Sequence, residues 1–319
     1  MPPVSTGTST SAPVTFVIPV FNGASFLPMA LESLLAQSRG DWRAILIDDG
    51  SSDESRRIID ACTDTRVRQL HNEQNRGLYA SLTRAVGHAD SEWVSILMQD
   101  DRLHPDYLDR MFGMSLTYPD AGAIWPAHHV VDERGLIFKK GAATGRTELI
   151  RPGVKPWLSA LHRGCFWIIS GSYTRRALFE ALPFRADLPH CGDYEWLLRS
   201  LRRAAFLYYE MPLVDIREHP SQASARNLHT ALDIVESYRV IEDALACHPG
   251  DVPFAAGLQL AWRRFRLVAR RGLAASARGR WVYAAWLGAW ASRFLLLPLR
   301  MRIGGHPDRA NRGIASVDQ

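Results

Sequence analysis

Val14-Thr15-Phe16-Val17-Ile18-Pro19-Val20-Phe21-Asn22 is an almost unbroken apolar run that ends in a polar step. A short run of this kind, rich in β-branched residues, predicts a strand buried on both faces of a sheet. A helix follows over Phe26 to Gln37, where Leu27, Leu31, Leu34 and Leu35 recur at helical spacing. Ala44 to Ile47 is a second apolar strand and ends in Asp48-Asp49-Gly50-Ser51. The next helix is expected to carry Asp53 and Glu54 in its first turn, where carboxylates suit the helix dipole. Val67 to Leu70 reads as a third strand, Leu78 to Val86 as a helix, and Trp93 to Met98 as a further buried strand ending in Gln99-Asp100-Asp101.

Strands and helices in alternation build βαβ units and an α/β fold with a mostly parallel sheet flanked by helices. Ligands of such sheets bind at the carboxyl ends of the strands. Three of these ends carry polar clusters: Phe21-Asn22, Asp48-Asp49 and Asp100-Asp101. Past Pro105 the pattern is mixed. Strands are expected within Gly122 to Phe138, with a turn at Glu133-Arg134-Gly135, over Cys165 to Ile169 ahead of Gly171-Ser172, and over Phe206 to Tyr209 and Leu213 to Arg217. Helices are expected over Tyr194 to Arg203, Asn227 to Cys247 and Phe254 to Arg271.

The 319 residues, 47% hydrophobic and 22% charged, suffice for one large or two modest globular domains. The Ser/Thr/Pro-rich start, 1–13, lacks the apolar stretch of a signal peptide and reads as disordered. Cys62, Cys165, Cys191 and Cys247 lie far apart with no CxxC pair, which argues against a zinc site or a disulfide framework and for a reducing, cytoplasmic setting. Charge is unevenly spread. From Arg263 to the end there are twelve arginines, two aspartates and no lysine, whereas the rest of the chain is net acidic. Such a tail seeks an anionic partner, a membrane surface or nucleic acid.

Two adjacent carboxylates, Asp100 and Asp101, repel one another at a strand end; a hard divalent cation with a diphosphate would relieve this, and a solvated loop is the plainer alternative. Asp48-Asp49 can accept hydrogen bonds from a base or ribose, or cap a helix. Asn75-Arg76-Gly77 precedes a helix and suits phosphate or base contact, or an ordinary turn. Gly192-Asp193-Tyr194-Glu195 opens a helix, for which Asp193 can serve as a simple N-terminal cap. His219-Pro220 reads as a turn. Trp125, Trp157, Phe166 and Trp167 either stack on sugar faces or fill the core. No GxGxxG, Walker A or GxSxG motif is present.

Val17-Ile18-Pro19-Val20-Phe21-Asn22, Ile47-Asp48-Asp49-Gly50-Ser51-Ser52-Asp53, Asn75-Arg76-Gly77 and Gln99-Asp100-Asp101, in this order and spacing, closely resemble family 2 glycosyltransferases of the GT-A fold. The resemblance covers roughly residues 14–225 and implies an inverting transferase that moves a sugar from a nucleotide-diphosphate sugar, foremost a UDP-sugar, to a glycan or lipid-linked hydroxyl. It implies that Pro19 and Phe21 line the base, that Asp49 hydrogen-bonds it, and that Asn75 and Gly77 lie beside the nucleoside. It further implies Asp100 near the ribose, Asp101 as ligand of a Mg²⁺ or Mn²⁺ ion bridging the diphosphate, and Asp193 as the catalytic base. Gly192 departs from the pattern, since Glu commonly precedes that base. The QxxRW motif of processive synthases is absent, which favours single-sugar transfer. The rival readings are a nucleotide-sugar-binding module without catalysis and a nucleotidyltransferase on a related fold.

The implied organisation is a catalytic domain over 14–225, with a nucleotide-binding half over 14–104 and an acceptor-binding half over 105–225. A helical, basic region over 226–299 and a flexible tail over 300–319 follow. Trp281 to Leu299 could nearly span a bilayer at about 1.5 Å per residue. Arg293 and Pro298 lie inside it, so an interfacial helix is expected, with Trp281, Trp286 and Trp290 at headgroup level on the inner face of the membrane. A helical cap or an oligomer contact is the alternative. Nucleic-acid binding is not expected, because no recognition motif accompanies the arginines.

Overall fold

The computed structural model describes residues 13–222, 227 and 230–303. The expected disorder over 1–13 and flexible tail over 300–319 fall almost wholly outside the described residues; 300–303 are helical.

The first half alternates as its apolar runs require: β1 (Val14–Val20), α1 (Leu27–Leu35), β2 (Trp42–Asp48), α2 (Ser55–Asp60), β3 (Val67–His71), α3 (Leu78–Val86) and β4 (Trp93–Ile96). All seven residues of β1 are buried, as a central strand covered on both faces demands. Strands β3, β2, β1 and β4 lie side by side and parallel, with Val20 opposite Asp48 and Asp48 opposite His71. Their carboxyl ends therefore open on one edge. Val14, Phe16 and Ile18 of β1 share a core with Leu27 and Leu34 of α1 and with Trp42 of β2.

The second half adds β5 (Arg102–Leu103), α4 (Tyr107–Thr117), β6 (Ala121–Val131), β7 (Ile137–Lys139), β8 (Thr147–Ile150), α5 (Val154–Arg163), β9 (Ser172–Arg175), α6 (Arg176–Ala181), α7 (Gly192–Ser200) and β10 (Ala205–Arg217). The sheet continues as β4-β9-β6-β10-β5, with β9 antiparallel to both its neighbours and β10 parallel to β6. The parallel pattern thus belongs to the first four strands, and the whole sheet is mixed.

Three local expectations change. Asp53 and Glu54 precede α2 rather than fill its first turn. Cys165 to Ile169 is not a strand; it is apolar because Trp167 is buried against Trp196, ring centroids 4.7 Å apart. The two strands expected over Phe206 to Arg217 are one strand with register shifts around Pro212, which has no N–H for the ladder.

The chain divides into two compact units: one runs up to Asn227 without Leu161–Arg163, and the second joins those three residues to the chain from Leu228. The second holds α8 (Leu232–Cys247), α9 (Phe254–Ala277) and α10 (Trp281–Ile303). Gly272 of α9 faces α10: a Cβ there would make ordinary contact, at 3.5 Å, with the Ala284 carbonyl and the Leu287 Cβ. Tyr238 of α8 meets Trp290 and Phe294 of α10 edge-on, at 5.5 and 5.1 Å. No described helix is long and apolar enough to cross a membrane.

Candidate functional site at the strand ends

The loops after β1 and β2 are tied together by short polar side chains. Ser51 Oγ accepts the Asn22 N–H at 3.0 Å, and Asn22 Oδ1 accepts that of Ser52 at 2.8 Å. Ser55 Oγ accepts the Gly23 N–H and Asp53 the Ala24 N–H. Gln99, at the end of β4, bonds both the N–H and the carbonyl of Phe21. Gly23 is needed there, because a Cβ would lie 2.2 Å from Gln99 Oε1. This network leaves the Phe21 ring exposed, whereas Pro19, expected beside it, is buried inside β1 opposite Ile47.

Asp49 is buried and draws in the loop after β3. Its Oδ1 accepts Asn72 Nδ2 at 2.6 Å, Ser81 Oγ at 2.8 Å and the Arg76 N–H at 2.9 Å; its Oδ2 accepts the Gly77 N–H at 2.9 Å. Oδ1 thus accepts three donors and Oδ2 one, which leaves Oδ2 the less engaged oxygen. Asn75 Oδ1 also accepts the Gly77 N–H, which closes the loop on itself. Gly77 has φ +88°, in the left-handed region, with open space where its side chain would be, so the backbone conformation and not crowding selects glycine.

Asp100 and Asp101 meet the far end of β10. Asp101 is buried; its Oδ1 accepts the Arg217 N–H at 2.9 Å. Burial first, and the charge of Asp100 second, push its carboxyl well above the usual range. Asp100 Oδ2 pairs with His219 Nε2 at 3.1 Å. The Arg217 guanidinium, itself buried, donates to the carbonyls of Asp100, Asp132 and Glu133 and lies over the Phe26 ring at 5.0 Å. Arg217 and His219 were not singled out by the sequence; the only signal was their place at the carboxyl end of an apolar strand. Among the described residues no three His, Cys, Asp or Glu side chains gather as a metal cage. Two carboxylates suffice for Mg²⁺ or Mn²⁺ when substrate phosphates complete the shell, so the donor set fits a cation that arrives with a diphosphate.

Asp193 stands in the first turn of α7. It is not the cap: Cys191 holds that position, and no side chain caps the helix. The Asp193 carboxylate accepts the Tyr194 N–H at 2.7 Å, and its own N–H donates to the Tyr79 hydroxyl at 3.1 Å. Helix N–H groups favour its anion. Burial outweighs them and pushes the carboxyl up to about 6, while the Tyr79 hydroxyl and the Cys165 thiol favour the anion. Gly192 now has a physical cause. A Cβ there would lie 2.5 Å from the Tyr79 ring, which packs on Phe184 at 5.3 Å. Tyr79 is the second residue of the helix that the Asp49-bound loop opens, so Asp193 is tied to the loop after β3 through the start of α3.

Trp125, Trp157 and Trp167 are buried and belong to the core, which leaves Phe166, half-buried, as the aromatic of that set with an open face. The four cysteines are free thiols.

The site gathers carboxylates and open backbone at the ends of β1, β2 and β4, and known proteins share this frame. The chain is 27% identical over 219 residues to an uncharacterized glycosyltransferase of Rickettsia felis, a match covering 67% of this chain and 35% of that protein. It is 36% identical over 98 residues to the succinoglycan biosynthesis protein ExoO of Rhizobium meliloti, 31% of this chain and 28% of that one. The chain thus spans about a third of the length of the first such relatives. Its fold is similar to that of S. aureus TarS 1-349 in complex with UDP-GlcNAc, with a TM-score of 0.57, 13% identity, and 92% and 93% of the two chains covered. The model of glycosyl transferase family 2 matches residues 15–182, more than half of the chain. The chain belongs to glycosyl transferase family 2.

Proposed function

We propose that the protein is an inverting transferase that moves one sugar from a nucleotide-diphosphate sugar, foremost a UDP-sugar, to an acceptor hydroxyl. The observation that carries this is Asp193: a carboxylate pushed up to about 6 by burial, in the first turn of α7, with its main-chain N–H held by the Tyr79 hydroxyl. That value leaves it ionised at neutral pH and close enough to neutrality to take a proton as the acceptor attacks. Attack opposite the leaving diphosphate inverts the anomeric centre.

In this reading the nucleoside lies on Phe21 and the Asn75–Gly77 loop. Asp49 shapes that loop and offers its less engaged Oδ2 to the base, Pro19 supports Phe21 from inside β1, and Asp100 lies near the ribose. Asp101 with Asp100 would hold Mg²⁺ or Mn²⁺, which supplies Lewis-acid neutralisation of the leaving diphosphate. The solved complexes of TarS 1-349 with UDP and with UDP-GlcNAc support the nucleotide class. The acceptor is a glycan or lipid-linked hydroxyl met at the cytoplasmic face of a membrane. A catalytically silent binding module loses its main support, because Tyr79 and not decay of the site accounts for Gly192. The test is a screen of UDP-, GDP- and dTDP-sugars with Mg²⁺ or Mn²⁺, reading nucleoside diphosphate release. Release from one donor class above the protein-free rate supports the transferase; binding without release supports the module.

A further inference from the structure

The basic region has a second component besides the stretch from Trp281 to Leu299. Trp286 and Trp290 of α10 are half-buried, Trp290 against Tyr238 and Trp286 stacked on Tyr283, so they serve helix packing. Exposed apolar side chains lie on α9 as well as on α10, where Trp281 and Val282 are 69% and 84% exposed. The buried residues of α9, Gly257, Leu260, Ala261, Val268, Gly272 and Ala275, form one face. The adjoining face exposes Phe254, Leu258, Trp262 and Leu273, with Trp262 at 54% and Leu273 at 71%, while the exposed Leu267 falls on the far side of the arginines. At about 100° per residue these four fall within an arc of about 100°, and Arg266, Arg270 and Arg263 occupy about the next 60°.

Two further facts narrow what covers this face. From Phe254 to Ile303 the chain has ten arginines and no aspartate, glutamate or lysine. Among the described residues Arg271 pairs with Asp233, while no ion pair engages Arg263, Arg266 or Arg270. A contiguous apolar strip flanked by guanidinium groups without ion pairs matches an anionic interface, which offers an apolar phase to the strip and phosphate to the arginines. Guanidinium groups bind phosphate oxygens bidentately, and Trp and Leu side chains enter the acyl boundary beneath.

We infer that the exposed face of α9 is a docking surface for an anionic bilayer, with Phe254, Leu258, Trp262 and Leu273 inserted at the interface and Arg263, Arg266 and Arg270 on lipid phosphates. The inference deepens the reading of a membrane-presented acceptor and rests on it for its purpose. The helix lies in the plane of the interface, in keeping with the absence of a spanning helix among the described residues.

The test is flotation of the full chain with phosphatidylcholine vesicles and with vesicles containing 30% phosphatidylglycerol (a chosen composition, about a third anionic lipid) at about 0.15 M salt. The chain should float with the anionic vesicles only. Arg263→Gln/Arg266→Gln/Arg270→Gln should weaken partition by about a hundredfold, on the scale of roughly fivefold per arginine near an anionic surface. Leu258→Ala/Trp262→Ala should weaken it comparably without changing the helical circular dichroism signal, because both side chains are exposed. Equal flotation with both vesicle types, no flotation, or full flotation of both variants would overturn the inference. So would a 20-mer oligonucleotide (about two helical turns of DNA) that binds the chain and displaces it from vesicles with the apolar variant unaffected, which marks a nucleic-acid surface. Nucleotide affinity measured on the same samples keeps a failed docking surface distinct from a failed transferase.

Discussion

The Tyr79 hydroxyl accepts the main-chain N–H of Asp193 at 3.1 Å, and the Tyr79 ring fills the space that a side chain at 192 would enter. One aromatic residue therefore positions the proposed base and dictates the glycine before it. Tyr79→Phe keeps the ring and removes the hydroxyl. Turnover should fall tenfold or more, since a hydrogen bond to a charged group contributes about 1.5–3 kcal/mol, while donor affinity should hold. Steady-state kinetics with separate kcat and KM check this; unchanged kcat would leave Tyr79 a packing residue.

Gly192→Ala should lose about 1–3 kcal/mol of stability, the usual cost of overpacking, because the added carbon meets a ring wedged against Phe184. Gly192→Ala/Tyr79→Leu should recover stability without recovering turnover. Chemical denaturation of the three proteins measures this, and a stable, fully active Gly192→Ala would contradict the steric account.

Activity should depend on pH with the sign of an acid that must be ionised. Asp193 is pushed up to about 6 by burial. The base is protonated below that value and ionised above it, so kcat/KM should fall as pH drops through about 6. In Tyr79→Phe, which loses a contact that favours the anion, the fall should begin at higher pH. A flat profile between pH 5 and 7.5, a window chosen to bracket that ionisation, would remove Asp193 from the rate.

Much of this was legible in the sequence for a simple reason. Strands β1, β2 and β4 are buried on both faces, so their residues are continuously apolar and their polar ends stand out. That pattern puts Asp49 and Asp100-Asp101 past parallel strand ends on one edge of the sheet, where Asp49 holds the Arg76 and Gly77 N–H groups. What was not legible depends on partners far apart in the chain. Arg217 reaches Asp100 across 117 positions, and Tyr79 reaches Asp193 across 114. Local periodicity carries no trace of either pair. Burial also hides its cause: Cys165 to Ile169 is apolar because Trp167 packs on Trp196, and a short apolar run reads the same whether it joins a sheet or only a core.

Arg217→Lys should cost about 2 kcal/mol or more, because a single ammonium cannot serve the carbonyls of Asp100, Asp132 and Glu133 together. It should also weaken the response to Mn²⁺ by disturbing the Asp100-Asp101 step. Thermal denaturation and a metal titration of turnover check both parts. Asp101→Asn should lose most metal-dependent turnover with the fold intact, and full activity of the parent chain in excess EDTA would contradict the metal reading.

The account stands most directly on Asp193→Asn. With the cognate donor and Mn²⁺, nucleoside diphosphate release should be compared between the parent chain and this variant, with nucleotide affinity measured on the same preparations. The amide keeps the shape and can still accept the Tyr194 N–H, but it cannot take a proton. The expected result is release slowed by about a hundredfold or more, with affinity and melting temperature nearly unchanged. Release at the parent rate, from a variant that binds the nucleotide normally, would contradict the assignment of the base.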